Sequence, residues 1–338
     1  MTEFWMLTWP IAGRTAEVAK LAEAMGWDGL LVTDTQCLAS EAFVQMSFCA
    51  AATSRIRIGT GVTNPVTRDP AVLASAFNTL QQESGGRMWL GIGRGDSSLA
   101  HIGKEPAPVS ALERYVIQLQ QYLRGELVDR DGFPSRLHAR NPGDPPKVPV
   151  DIAGTGKRVI ALATRHADAL TIAVGANPER ISATIGEAEA ALRAAGRSRG
   201  EFAISAYVNV GVNDRIEVAR ETVRGSCSVT ARFSGMHGGA ASQGLDATQR
   251  NAVLQLAADY DMAHHGSSLA PHARALPDAF IDGFAVVGDV ARVTDRLRAI
   301  ADTGVDRIVV IAGSLGVDME IITQSIVALS TQVLPKLR

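Results

Sequence analysis

The chain has 338 residues, 46% hydrophobic and 20% charged, an ordinary globular composition that excludes disorder, collagen and a long coiled coil. Its 33 Lys and Arg against 35 Asp and Glu give a net charge of -2, so no global field draws it to nucleic acid or to an anionic membrane. No apolar run reaches the roughly 18 residues of a membrane helix, the N-terminus lacks a secretory pattern, and three cysteines without CxxC spacing read as reduced cytoplasmic thiols, not as disulfides or a zinc site.

Taken in order, Glu3–Thr8 is a candidate first strand. Thr15–Met25 reads as a helix, because Val18, Leu21, Ala22 and Met25 share one face, and Gly26 stops it. Asp28–Thr33 is a buried strand, Glu41–Ala52 a helix and Arg55–Gly59 the third strand. Pro70–Glu83 is the next helix, with Pro70 at a first position where a missing N–H is harmless. Gly86–Ile92 is the fourth strand, and Val109–Leu123 a helix. Gly125–Pro146 breaks the rhythm and reads as an excursion with a short hairpin. Val148–Ala153, Ala169–Ala173 and Phe202–Val210 are strands five to seven, separated by helices over Lys157–Arg165 and Pro178–Ala195. Asp214 reads as the cap of a further helix. A second excursion, Gly225–Asp282, contains a helical stretch over Asp246–Tyr260. Val290–Ile300 is helical, Arg307–Ile311 is strand eight, and Asp318–Leu329 closes the chain as a helix.

Most of these strands are continuous apolar runs without alternation, as expected for parallel strands covered on both faces. Eight β/α units predict a (β/α)8 TIM barrel. Such a barrel needs about 250 residues, and the excursions absorb most of the rest. The expectation is one barrel domain over 1–338, with insertions near 125–146 and 225–282. A doubly wound open sheet is disfavoured, because no GxGxxG follows the first strand.

Barrel chemistry sits at the C-terminal strand ends. Strand five ends in Gly154-Thr155-Gly156-Lys157-Arg158, directly before a helix. Free N–H groups, the helix dipole, a hydroxyl and two cations make this a candidate anion site. A plain glycine-rich βα turn is the alternative. Asp34 and Asp96 are acids at neighbouring strand ends, each able to orient a ligand, move a proton or cap the next helix. Arg94 can pair with Asp96 or with an anionic ligand. His264 and His265 lie in the second excursion, where a lid or a plain surface suits them better than a metal, because adjacent histidines point apart. Met88 and Trp89 fit core packing, and no metal site is expected.

The motifs LAEAMGWDGLLVTD (Leu21–Asp34), RIGTGVTNPVTRDP (Arg57–Pro70), GIGRGD (Gly91–Asp96), IAGTGKR (Ile152–Arg158) and VGANPERI (Val174–Ile181) carry a resemblance. They are similar to the bacterial-luciferase-like superfamily, in particular its coenzyme F420-dependent branch typified by methylenetetrahydromethanopterin reductase. The resemblance implies a deazaflavin or flavin across the barrel mouth. Asp34 and Asn64 match positions near it, and Gly61, Val62 and Thr63 form the strand-three bulge, where a cis peptide at Gly61–Val62 is implied. Arg94 and Gly95 match ring- and chain-contacting positions. Thr155, Gly156, Arg158 and Val159 match the phosphate cradle, and Gly154, Lys157, Gly175, Ala176 and Asn177 are further candidates for binding the cofactor. Asp96 matches a carboxyl acid of F420-dependent sugar-phosphate dehydrogenases. Those enzymes carry His where this chain has Thr35, so reductase chemistry is easier to reconcile than alcohol oxidation, with Asp96 or a histidine such as His265 supplying the proton.

Three functions are weighed. The first is an F420-dependent oxidoreductase acting on a small-molecule substrate. The second is an FMN-dependent monooxygenase served by a flavin reductase. The third is a flavin-binding barrel without turnover. Lys157, Arg158 and Arg68 are the cations that would meet the acidic tail of F420. The excursions, with His138, His264 and His265, are expected to roof the substrate, and the family implies a homodimer.

Overall fold

The computed structural model describes residues 1–140, 143–239 and 241–338. The elements run β1 (Glu3–Thr8), α1 (Thr15–Ala24), β2 (Gly29–Val32), α2 (Ala42–Ala52), β3 (Arg57–Thr60), α3 (Pro70–Glu83), β4 (Met88–Ile92), α4 (Ser97–Ala100) and α5 (Val109–Leu123). Then follow β5 (Val128–Arg130), β6 (Phe133–Ser135), β7 (Val150–Ala153), α6 (Lys157–His166), β8 (Ala169–Ile172), α7 (Pro178–Ala194) and β9 (Ala203–Val212). The last part holds α8 (Ile216–Gly239), α9 (Ala247–Asp259), α10 (Pro271–Arg274), α11 (Asp278–Phe284), β10 (Val286–Gly288), α12 (Val290–Ala301), β11 (Arg307–Ile311) and α13 (Met319–Ala328).

The main sheet has the order β10-β9-β11-β1-β2-β3-β4-β7-β8, and β8 also pairs with β9. All its pairings are parallel, and the β8–β9 contact closes eight strands into a (β/α)8 barrel. β10 is a ninth strand that the sequence reading missed. It is three residues long and extends the sheet only at the end of β9, Val286 pairing with Val210.

Two tryptophans fill the barrel. Trp5 and Trp89 meet edge to face at 5.4 Å, an arrangement aromatic pairs favour. Gly29 faces Trp5 across the β1–β2 ladder, and a Cβ there would lie 2.2 Å from the indole. Trp89 Nε1 donates to the buried Asp151 carboxylate at 3.0 Å, and burial pushes that carboxyl up.

Local chemistry sets the helix starts. Asp69 accepts from Ala71 N–H ahead of Pro70, and Asp246 forms a capping box with Gln249. The start of α8 is a correction: Asn213, not Asp214, accepts from Arg215 N–H.

Glu23 ties α1 to β3. Burial raises its pKa, but N–H bonds from Ile56, Arg55 and Ser54 outweigh that and bring it from 4.5 down to about 2. A depressed carboxyl stabilises the fold above its unfolded pKa and loses that contribution as pH falls through the folded value. Glu23→Gln is therefore expected to destabilise by roughly 1–2 kcal/mol at neutral pH, allowing for screening at this partly exposed site. Urea midpoints of the two proteins should converge near pH 2. A pH-independent gap would contradict the assignment.

The insertions differ from expectation in place. β5 and β6 form the predicted hairpin, with Asp131 (φ 53°) and Gly132 (φ 87°) at its turn. Arg130 bonds Asp69 at 2.6 Å, and the amides of Asn78 and Gln82 hold the Ala139 carbonyl, so the segment lies along α3. His138 is exposed there, away from the strand ends. Residues 141–142 of this insertion lie outside the described residues. In the second insertion, Gly225 is not a break. It sits inside α8, where a Cβ would lie 2.4 Å from the Gly266 carbonyl, so glycine marks a close crossing. Ala219, Val223, Cys227 and Ala231 recur every fourth residue along α8 and pack on Val253, Leu256, Phe280 and Phe284, a separate apolar cluster.

Candidate active site

Asp34, at the end of β2, is buried. Its Oδ2 accepts from the Thr63 hydroxyl and from Arg68 Nη1, both at 2.6 Å, and its Oδ1 from Gln36 Nε2 at 2.6 Å. Arg68 also bonds Glu41 at 2.6 Å and lies 4.2 Å over the Phe43 ring. Arg68 is therefore not a free rim cation, because two carboxylates of the β2–α2 region already hold it. Thr35 lies in the following turn, its carbonyl accepting from the N–H groups of Leu38 and Ala39.

The Gly61–Val62 peptide is cis, as the resemblance implies. A Cβ on Gly61 would meet Leu7 at 2.5 Å and Leu31 at 2.9 Å, so the chain passes here only as glycine. Asn64 is buried and spends its Oδ1 on the N–H groups of Val66 and Thr67, each at 3.0 Å. Nearby in sequence, Thr33 Oγ1, Gln36 Oε1 and Thr67 Oγ1 are buried without a partner among the described residues. A buried polar atom left so costs roughly 1–3 kcal/mol. These loop ends thus suit a ligand rich in hydroxyl groups.

At the end of β4, Gly95 has φ +90°, and a Cβ there would lie 2.4 Å from Leu99. Arg94 Nε donates to the Ala107 carbonyl at 2.6 Å and clips the loop before α5. Asp96 Oδ1 is bonded by Arg232 from the middle of α8, their side chains 22% and 7% exposed. Asp96 is thus committed to an ion pair and does not stand free as an acid. The Arg232 guanidinium lies 4.2 Å over the Tyr260 ring. Tyr260 Oη is 3.0 Å from His265 Nδ1. Burial pushes His265 down to about 4 and Tyr260 up to about 12, so both are neutral at working pH. His264 points elsewhere, to Asp261 at 2.6 Å.

α8 crosses the C-terminal end of the barrel. Ser226 and Thr230 bond Asn209 of β9 at 3.0 and 2.7 Å, Ser226 N–H bonds Ser314 beyond β11, and Ser234 meets Arg180 of α7 at 3.4 Å. With Arg232 on Asp96, one helix reaches the ends of four barrel regions.

At the end of β7, a Cβ on Gly154 would lie 2.3 Å from Val159. Gly156 precedes α6 with φ -92°, and no side chain caps the helix. A Cβ on Gly156 would meet nothing within 4 Å. Lys157 leans on Glu187 at 3.7 Å, whereas Arg158 is exposed with no partner among the described residues. Thr155 stands beside this open helix start. After β8, Gly175 (φ +82°) packs under Phe284, Ala176 N–H donates to the Phe284 carbonyl at 2.9 Å, and Asn177 caps α7 by accepting from Glu179 and Arg180. Asn177 is thus spent on a helix start.

Residues 7–307 match the family described as luciferase-like monooxygenase. The chain belongs to that family. It is 29% identical to the 5,10-methylenetetrahydromethanopterin reductase of Archaeoglobus fulgidus, over 94% of each chain. It superposes on the coenzyme F420-dependent tetrahydromethanopterin reductase of Methanopyrus kandleri with a TM-score of 0.75, covering 100% of this chain and 99% of the other at 20% identity. A similar fold is found in the FMN-bound type II Baeyer-Villiger 3,6-diketocamphane monooxygenase of Pseudomonas putida, with a TM-score of 0.68, 16% identity and coverage of 100% and 99%.

Within this luciferase-like chain, sequence reasoning missed Arg232 and Tyr260. The one available signal was an arginine isolated among small and apolar residues (Val229-Thr230-Ala231-Arg232-Phe233), where a buried charge demands a partner. Among the described residues, no three His, Cys, Asp or Glu side chains gather as a metal site, and no helix is long and apolar enough to cross a membrane.

Proposed function

We propose that the protein is a coenzyme F420-dependent oxidoreductase that moves a hydride between the deazaflavin and a small organic substrate. The observation that carries this reading is the uncapped start of α6 at Gly156, open and flanked by Thr155 and Arg158. Helix N–H groups with a hydroxyl and a cation suit a phosphate. The A. fulgidus relative, matched over nearly the whole chain, supports F420 as the group held.

Gly154–Val159 would bind the phosphate. Gly61–Asn64 and Arg94–Gly95 would line the ring and its chain, with the unpartnered Thr33, Gln36 and Thr67 oxygens taking up hydroxyl groups. Bound there, the deazaflavin supplies hydride chemistry. Asp34 acts indirectly, by fixing Arg68 and Thr63. α8 and Tyr260 exclude water above the site. One barrel domain with two insertions and a cytoplasmic location complete the reading.

One observation favours a second reading, an FMN-dependent monooxygenase that takes reduced flavin from a flavin reductase. Arg68 is held by two carboxylates and Lys157 leans on Glu187, leaving Arg158 as the free cation of the three named for a polyanionic tail. A single-phosphate cofactor asks for no more. Fluorescence titration with F420 and with FMN separates the two. Micromolar binding of F420 without FMN binding is the expected result, and the reverse pattern would replace the first reading with the second.

The same proposal includes a homodimer. α2 has no charged residue and exposes Val44 (51%) and Phe48 (55%), and its neighbour α3 exposes Val72 (58%). Apolar side chains grouped on neighbouring helices mark an interaction surface. Phe48→Glu is expected to convert a dimer to a monomer in light scattering, and an unchanged mass would exclude this face.

A further inference from the structure

We propose that the β9–β11–β1 side of the barrel mouth is the substrate site and that it takes an uncharged, mainly apolar molecule, with Ile311 setting that preference. The proposal rests on the oxidoreductase reading above, which gives the β2–β7 side of the mouth to the cofactor.

The strands β9, β11 and β1 are consecutive in the sheet. Val309 pairs with Trp5 on one side and with Tyr207 on the other, and the three side chains belong to one cluster inside the barrel. Residues two apart on a strand share a face, so Leu7 and Ile311 also face inward, one step nearer the C-terminal end. Burial changes at that step. Trp5 is 0% and Val309 1% exposed, whereas Leu7 and Ile311 are half-buried. An inward side chain at the C-terminal end of a closed barrel meets open space only at the mouth. Phe233 of α8, also half-buried, packs on the same cluster. A Cβ on Gly61 would lie 2.5 Å from Leu7 and 3.2 Å from Tyr207 Oη. This apolar floor therefore adjoins the segment assigned above to the ring.

Charge is divided unevenly round the mouth. Asp34, Arg68, Arg94, Asp96, Lys157 and Arg158 all follow strands on the β2–β7 side. Residues 7–13, 203–213 and 308–317, which carry the C-terminal ends of β1, β9 and β11, contain no Asp, Glu, Lys or Arg. Arg232 lies 5.5 Å from the Phe233 ring, but Asp96 already holds it. A carboxylate or phosphate set on this floor would lose water without gaining an unpaired cation from these strand ends, which is unfavourable, whereas an apolar skeleton gains by leaving water. The rim continues in the same character, with Leu315 45% and Leu269 64% exposed and Leu269 packed over Gly316.

The test uses full-length protein with 13C-labelled isoleucine methyl groups, the Ile311 signal being assigned by its loss in Ile311→Ala. The probes are cyclohexanone and cyclohexanecarboxylate, which share a ring and differ in charge. Without F420, cyclohexanone is expected to shift the Ile311 methyl with roughly millimolar affinity, in keeping with its size. The carboxylate should bind at least about tenfold more weakly. In Ile311→Ala, cyclohexanone affinity read from the probe's own signals should fall about tenfold, while F420 affinity read by fluorescence stays within about twofold. Ile311→Lys puts a cation on the floor and should reverse the preference in favour of the carboxylate. Equal affinity for the two probes in the wild type, no response of the Ile311 methyl to cyclohexanone, loss of F420 binding in Ile311→Ala, or an unreversed preference in folded Ile311→Lys would overturn the proposal. Absence of F420 binding by the wild type would instead overturn the cofactor reading, and the probe comparison, made without cofactor, would stand apart from it.

Discussion

Gly156→Asp is expected to abolish cofactor binding, raising Kd by at least about 100-fold, or about 2.7 kcal/mol. The space at this position is open. A side chain fits without collision, and φ is negative, so the backbone accepts any residue. Asp is moreover a better helix cap than Gly, by roughly a few tenths of a kcal/mol. The variant should therefore fold normally and melt at the same temperature or slightly higher. What it loses is the site, because the new carboxylate takes the N–H groups a phosphate would use and repels that phosphate. Gly156→Ala is the matched control, expected to bind within about twofold of wild type because it adds bulk without charge. Wild-type affinity in Gly156→Asp would remove the phosphate from the start of α6. The result bears on the phosphate alone, and F420 and FMN would both be lost.

Arg232→Met is expected to cost about 2–4 kcal/mol in urea unfolding. It strips Asp96 of its partner and removes the cation from the Tyr260 ring. Methionine keeps much of the volume, so the loss reports on charge more than on packing. Asp96→Asn leaves the more buried charge, Arg232, without its carboxylate and should cost a comparable amount. The double variant should fall well short of the sum, with a coupling of about 1–2 kcal/mol. Strict additivity would mean that the two side chains stand together without stabilising each other.

Much of the barrel was legible in the sequence. Parallel strands covered on both faces leave short apolar runs, and those runs recur with helices between them. Pro70 and Gly26 marked ends that the structure keeps. Three-residue β10 was invisible for the same reason the others were visible, since Val286–Gly288 is too short for a pattern to form. Gly225 misled because glycine inside a helix and glycine at a break look alike until the crossing 266–268 segment is in view. The site was legible in outline and less so in detail. Asn64 and Asn177 show why, since the residue type that contacts a ligand is also the one that caps a turn or a helix. Arg68 shows the same for charge: composition counts it as a cation, but Asp34 and Glu41 cancel it. Arg232 and Tyr260 stand far apart in the sequence of one long insertion, and nothing local brings them to Asp96.

The β5–β6 hairpin offers a practical use. Its tip is built from two left-handed residues, a two-residue turn that matches the twist of the strands and tolerates little else locally. Yet it projects from the α3 side, exposed, with Phe133 almost bare beside it. An affinity tag, a fluorophore or a surface tether spliced between Asp131 and Gly132 would sit on an exposed tip, joined to the barrel through Arg130 and Asp69. Small exposed loop tips of this kind are where added sequence is best tolerated. The segment that breaks the β/α rhythm is thus the natural handle by which the protein could be fixed to a support.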